Sequence, residues 1–305
     1  MRWFETPNFN FVKVHKIAYL FSGILIAASV IGIVTKGLQY GIDFKGGKEF
    51  VLEFQQPVEV SNIRNELAGP LGSAPVVKKF GSDRDILIRT DNQGDITEVQ
   101  KTIMSSMSQL YAQNEASVIK TDIVGPRFAE DLKEAAFNAI IFSLIAIFLY
   151  ILFRFKDWAF SAGAVAALFH DVLIVLGIFT IFSNILPFNL QIDEAIVAAF
   201  LTIVGYSIND TVVVFDRIRE NSLLFKTMEE KEMINKSLND TLSRTVITSL
   251  TTLFTVTVLF IFGGEVLKGF SFALMLGIIV GTYSSLFIAS PLAMDLRRSR
   301  EKQKA

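Results

Sequence analysis

The 305 residues include no cysteine and only two histidines, His15 and His170, far apart in the chain. Without thiols there is no disulfide, no thiolate metal site and no cysteine nucleophile, and the redox compartment stays undetermined. No H-E-x-x-H pair occurs, so a zinc hydrolase lacks its ligands and no metal site is expected. Gly46-Gly47-Lys48 is followed by Glu49, and no G-x-x-x-x-G-K-[ST] exists, which removes the P-loop and with it nucleotide hydrolysis. Charge is sparse and balanced: Lys+Arg number 29 against 30 Asp+Glu, 19% of the chain, where about 25% is usual. No basic excess points to nucleic acid. The chain is expected to be no enzyme, to need no cofactor, and to draw any energy from a gradient or a partner.

What the chain does have is long apolar runs, with its charges packed between them. Crossing a hydrocarbon core of about 30 Å takes roughly 20 apolar residues at about 1.5 Å of helix rise each. Six segments qualify, at 17–35, 135–153, 159–182, 195–215, 246–262 and 270–294. The first is long for a signal-peptide core and lacks an A-x-A-like site after it, so it reads as an uncleaved span.

Orientation follows from Lys and Arg in the short connections. Arg2, Lys13 and Lys16 in the N-terminus 1–16, Arg154 and Lys156 after span two, a basic connection at 216–245, and Arg297, Arg298, Arg300, Lys302 and Lys304 in the tail 295–305 share one side. The residues 183–194 hold no basic side chain, and 263–269 hold only Lys268. Both termini are therefore expected in the cytoplasm, in a multi-pass membrane protein. The segment 36–134, with 12 basic and 15 acidic residues, then lies outside. Its pattern reads as strand 41–54, helix 58–67, strands near 76–80 and 85–89, helix 96–112 and strand 117–124. Strands separated by two helices suggest a small α+β domain of ferredoxin-like type.

Ionisable residues inside apolar spans are functional-site hypotheses by default. Span four carries Asn209-Asp210-Thr211, and span three carries His170-Asp171. Arg244 heads span five, where Thr241, Thr245, Thr248, Thr252 and Thr255 recur at three- and four-residue steps on one helical face. Counting residues from the membrane edges brings Asp210 and Arg244 to similar depth, so a pair is geometrically allowed. Low dielectric and a nearby guanidinium act on a carboxylate in opposite senses, which can poise it to take up and release a proton. A buried pair that only fixes helix register is the other reading. His170 and Asp171 stand between a secondary relay and a satisfied polar pair. Asp216, Arg217, Arg219 and Glu220 read as an interfacial charged cluster. In span six Ala273, Gly277, Gly281, Ser285 and Ala289 recur every fourth residue, a small-residue stripe serving either static packing or a sliding or partner interface.

The run from Gly205 through Asn209-Asp210-Thr211 to Asp216-Arg217-Ile218-Arg219-Glu220-Asn221 resembles the signature of the SecF family, whose members assist bacterial protein export. Gly41-Ile42-Asp43-Phe44-Lys45-Gly46-Gly47, Val124-Gly125-Pro126, Leu242-Ser243-Arg244-Thr245 and His170-Asp171 match in the same order. The resemblance covers essentially the whole chain. It implies an RND-like half of six helices, pairing with SecD, association with the SecYEG channel and YajC, and use of the proton or sodium motive force to draw preproteins outward. It also implies that Asp210 and Arg244 serve ion transport. RND-type sites lie between two six-helix repeats and this chain supplies one, so a partner is expected. Half of an RND-type small-molecule or lipid exporter is the rival reading.

Overall fold

A computed structural model describes residues 7–183, 185–186 and 188–304. Arg2 lies outside the described residues, as do the side chains of Lys302 and Lys304. The first helix, α1 (Phe11–Lys36), is capped by the Asn10 side chain, which accepts from the Lys13 amide, and it ends at Gly37.

The small domain follows. The pattern 41–54 reads as one strand, yet the chain makes a single helical turn, α2 (Ile42–Lys45), before β1 (Gly47–Phe54). Gly46 and Gly47 cause the break, with φ of 73° and 128°, values that side-chain-bearing residues rarely adopt. A Cβ on Gly47 would also stand 2.8 Å from the Thr90 carbonyl oxygen. Next come α3 (Val60–Ala68), β2 (Val76–Phe80), β3 (Ser82–Thr90), α4 (Ile96–Leu110) and β4 (Ala116–Val124). β3 begins earlier than its apolar pattern indicates, because Gly81 alone (φ 87°) turns the chain and Phe80 pairs directly with Ser82. The sheet is antiparallel in the order β2-β3-β1-β4, the ferredoxin-like arrangement. Phe50, Leu52, Ile63, Ile88, Ile103 and Met107 form the core between sheet and helices. The opposite sheet face is buried as well, at Glu49, Val51, Leu87 and Arg89.

β4 runs over Gly125 straight into α5 (Pro126–Phe155), with Pro126 in the first turn, where its missing N–H costs nothing. The helix therefore starts nine residues before the apolar run. α6 (Trp158–Phe182), α7 (Glu194–Leu224), α8 (Glu230–Phe262) and α9 (Gly264–Ser284) follow, then a π-helical turn at Ser285–Ala289 and α10 (Ser290–Lys304). Six helical spans are long and apolar enough to cross a membrane. The expected connection 216–245 is mostly helix, since α7 and α8 extend into it from both sides. No glycine or proline occurs between Tyr206 and Phe262 to stop them. At 33 residues, α8 is about 50 Å long and exceeds the hydrocarbon thickness.

Both described chain ends gather away from the small domain. The Phe9 amide donates to Asn239 Oδ1 at 2.8 Å, and Arg297 and Arg298 reach Asp157 and Glu230. Arg154 pairs with Asp216 at 2.8 Å, Arg217 bridges Glu220 and Asp240, and Arg219 donates to the Arg154 carbonyl. The cluster 216–220 thus ties the ends of α5, α7 and α8 together.

The small-residue stripe is a packing face within the chain. A Cβ on Gly277 would lie 2.2 Å from Ile203 Cγ1, and one on Gly281 would lie 3.1 Å from Ser207 Cβ, so α9 and α7 approach because side chains are missing. Gly277→Ala is expected to destabilise the bundle by about 1–3 kcal/mol through overpacking. Trimming Ile203 to Ala in the same chain should make the combined loss smaller than the sum of the two single losses. Thermal unfolding in detergent measures this cycle, and strict additivity would contradict the contact.

Candidate ion-relay site in the helix bundle

Asp171 is fully buried, at a level of the bundle where every polar group needs a protein partner. Its Oδ2 accepts from Ser207 Oγ of α7 at 2.7 Å and from Ser284 Oγ of α9 at 2.8 Å. Its Oδ1 lies 2.8 Å from His170 Nδ1. His170 Nε2 meets Ser22 Oγ of α1 at 2.9 Å, and Ser22 meets the Tyr283 hydroxyl at 3.1 Å.

The direction of this chain follows from counting protons. Tyr283 has one hydroxyl proton and donates it to the Ala18 carbonyl at 3.0 Å. Ser22 therefore donates to Tyr283, and His170 Nε2–H donates to Ser22. Between His170 Nδ1 and Asp171 Oδ1 one proton then remains to be shared, as imidazolium with carboxylate or as imidazole with carboxylic acid.

Asp210 is 5% exposed. Among the described residues its side-chain hydrogen-bond partner is Ser249 Oγ of α8, at 3.5 Å from Oδ2. Ser249 lies much closer to Thr282 Oγ1 of α9, at 2.6 Å, while Thr282 donates to Ile278 O. The Ser249 proton is thus directed to Thr282, and the Asp210 carboxylate is sparsely hydrogen-bonded. No ion pair joins Asp210 to Arg244 among the described residues; Arg244 is exposed and acts on the carboxylate as a charge at longer range. Asn209 is exposed. Thr248 donates to the Arg244 carbonyl of its own helix, as Thr241, Thr252 and Thr255 do to carbonyls four residues back. Four of the five threonines are therefore satisfied on their own backbone, the buried Thr245 hydroxyl has no hydrogen-bond partner among the described residues, and Asp210 is met by Ser249 instead.

The surroundings of the two carboxylates adjoin on α9, directly for Asp171 and through Ser249 for Asp210. Thr282 belongs to the Asp210 side and Ser284 to the Asp171 side, with Tyr283 between them on the histidine chain. The π-helical turn begins at the next residue, and such turns concentrate at functional sites. Ser22, Ser207, Ser249, Thr282, Tyr283 and Ser284 were not singled out by sequence reasoning. Their one signal was a hydroxyl in an apolar span, shared with many residues that bond only to their own helix.

The motif at Gly41–Gly47 is set apart from both carboxylates. The Gly41 amide donates to Ile192 O at 2.7 Å, and Asp43 Oδ2 accepts the Glu194 amide at 3.0 Å. A Cβ on Gly41 would stand 3.1 Å from Asp193 Cβ. Asp193 caps α7 by accepting from the Ile196 amide at 2.8 Å. Burial foremost, with the Asp43 and Glu49 charges adding to it, pushes the Asp193 carboxyl up from its ordinary value. Arg89 of β3 closes the bracket by donating to both Glu49 and Gln191. The small domain is in this way fastened to the first turn of α7, about 25 Å along the helix from Asp210.

Comparison with known proteins agrees with this architecture. Residues 103–299 match the family model described as protein export membrane protein SecD/SecF, C-terminal, and residues 31–58 match the SecD/SecF GG motif. The chain is 56% identical to the protein translocase subunit SecF of Rhodothermus marinus, over 97% of its own length and 96% of the relative. It is 43% identical to that of Desulfurispirillum indicum, over 97% and 93%. The crystal structure of SecDF, a translocon-associated membrane protein from Thermus thermophilus, superposes with a TM-score of 0.87 at 36% identity. That match covers 97% of this chain and 40% of the solved one. The multi-pass bundle with a small ferredoxin-like domain, the motif at its junction and near-full-length identity to translocase subunits together mean that the chain belongs to the SecF family.

Proposed function

We propose that the chain is a non-enzymatic SecF subunit of the bacterial inner membrane, with both termini in the cytoplasm and the small domain outside. It pairs with SecD, associates with SecYEG and YajC, and uses the proton or sodium motive force to promote outward movement of preproteins. The observation that carries this reading is the pair of buried carboxylates beside one stretch of α9: Asp171 bonds Ser284 directly, and Asp210 lies against Ser249, which bonds Thr282 two residues earlier.

Protonation at either carboxylate changes what Ser249, Ser207 and Ser284 donate to, and so changes how α7, α8 and α9 hold one another. The π-helical turn interrupts the regular ladder at that level and gives α9 a point at which to yield. α7 carries any shift outward, because Asp43, Gly41 and Arg89 bind its first turn and the preceding connection to the small domain. One charge crossing the membrane potential supplies about 2.3 kcal/mol per 100 mV, so a few ions suffice for a step of this size. Solvation of Asp210 by a single long hydrogen bond suits a group that must load and unload.

Asp210→Asn is expected to abolish gradient-stimulated preprotein export in inverted vesicles while leaving co-purification with SecD intact. Unchanged stimulation would sink the relay role, and loss of the complex in proportion to export would favour a purely structural subunit. Ser284→Ala removes one donor from the Asp171 carboxylate, a bond of about 1.5–3 kcal/mol to a charged group. It should slow gradient-dependent export by about tenfold or more at unchanged complex abundance. Equal rates in the variant and the parent would disconnect Asp171 from the cycle.

A further inference from the structure

Between the small domain and the membrane helices lies a recess of about 290 Å³. Tyr40 and Lys45 border it from the segment after α1, Arg64 from α3, Lys78 from β2, Arg89 from β3, and Gln191 from the connection before α7. Four of these six are cations, and no carboxylate lines the recess. Arg89 is 9% exposed; its two Nη atoms donate to Gln191 and Glu49, while the buried Nε donor has no hydrogen-bond partner among the described residues. A buried donor left without an acceptor is costly. Burial, and then the charges of Arg89 and Arg64, hold the Lys78 ammonium below its ordinary value. Arg89 is paired with Glu49, whereas Lys45, Arg64 and Lys78 have no carboxylate partner among the described residues, so the recess keeps a net positive charge.

Its level in the molecule bears on what fills it. Lys36 closes α1 and donates to the Ile181 carbonyl near the end of α6. Tyr40 is four residues further on and bridges to Ile192, two residues before α7. The recess thus opens within a few residues of where three apolar helices end, the depth of lipid headgroups.

We propose that this recess binds a phosphate group, presented as the phosphodiester of an anionic phospholipid. The unpartnered Arg89 Nε–H, the Arg64 guanidinium and the point charges of Lys45 and Lys78 are donors that match phosphate oxygens. Seated there, the headgroup would contact the sheet and the α1 exit at once and brace the small domain against the bilayer. Free phosphate is the other source of the same chemistry.

The test uses the full chain and a Lys45→Gln/Lys78→Gln double variant, which leaves the Arg89 bracket and both carboxylates untouched. In mixed micelles of phosphatidylglycerol and phosphatidylcholine, native mass spectrometry should find phosphatidylglycerol preferentially retained by the parent. The double variant should lose that preference by about thirtyfold, at about fivefold per cation near the surface, and Lys45→Arg/Lys78→Arg should keep it. A second arm follows acylation of Lys78 in the parent chain alone, so it stands even where the double variant unfolds. Protection of Lys78 by phosphatidylglycerol supports the headgroup, and protection by inorganic phosphate only assigns the site to free phosphate. Equal lipid retention in parent and variant, with no protection of Lys78 by either anion, overturns the proposal.

Discussion

The bundle is organised around a carboxylate that has no access to water. Asp171 sits among apolar helices, and a buried carboxylate is tolerated only when donors surround it. The donors come from three directions: His170 beside it, Ser207 from α7 and Ser284 from α9. Through His170 the demand extends to Ser22, which brings α1 into the same network. Four helices are thereby held in one register by a single side chain. The glycine approach of α9 to α7 serves the same end, because a Cβ on Gly281 would crowd both Ser207 and the Asp171 carboxylate.

Asp210 presents the opposite arrangement. It is buried but, among the described residues, meets only Ser249 at the limit of hydrogen-bond distance, and Ser249 is itself better bonded to Thr282. One carboxylate is thus saturated and shares a proton with a histidine, while the other is left sparsely solvated by protein. The two sites, adjoining on three consecutive residues of one helix, therefore differ in how many donors reach each carboxylate. The π-helical turn after Ser284 concentrates irregular backbone at the same level.

Distance is then bridged by rigid helix rather than by a chain of side chains. The junction motif joins the small domain to the start of α7 through backbone hydrogen bonds at Gly41 and a carboxylate at Asp43, with no freedom left for side chains at Gly46 and Gly47. A displacement at Asp210 has a direct mechanical route to the β-sheet, whose second face is covered rather than solvated.

Much of this was legible in the residues alone. Apolar runs separated by charged stretches dictated six spans, because lipid admits only helices whose backbone bonds are internal. Period-two and helical patterns dictated a βαββαβ domain between the first two, and the rarity of ionisable residues in the spans drew attention to His170, Asp171, Asp210 and Arg244. What the chain order could not convey was partnership. Helical periodicity locates a residue on a face but not which neighbour that face meets, so the threonine row looked like a path while four of its five hydroxyls bond to their own helix. Similar depth suggested that Arg244 contacts Asp210, whereas the packing of α8 and α9 brings Ser249 there instead. The sequence by itself determined the number of spans, the domain between them and the polar residues worth attention; only the tertiary structure decided which of those residues share protons, since hydrogen bonds depend on ångström-scale proximity between helices far apart in the chain.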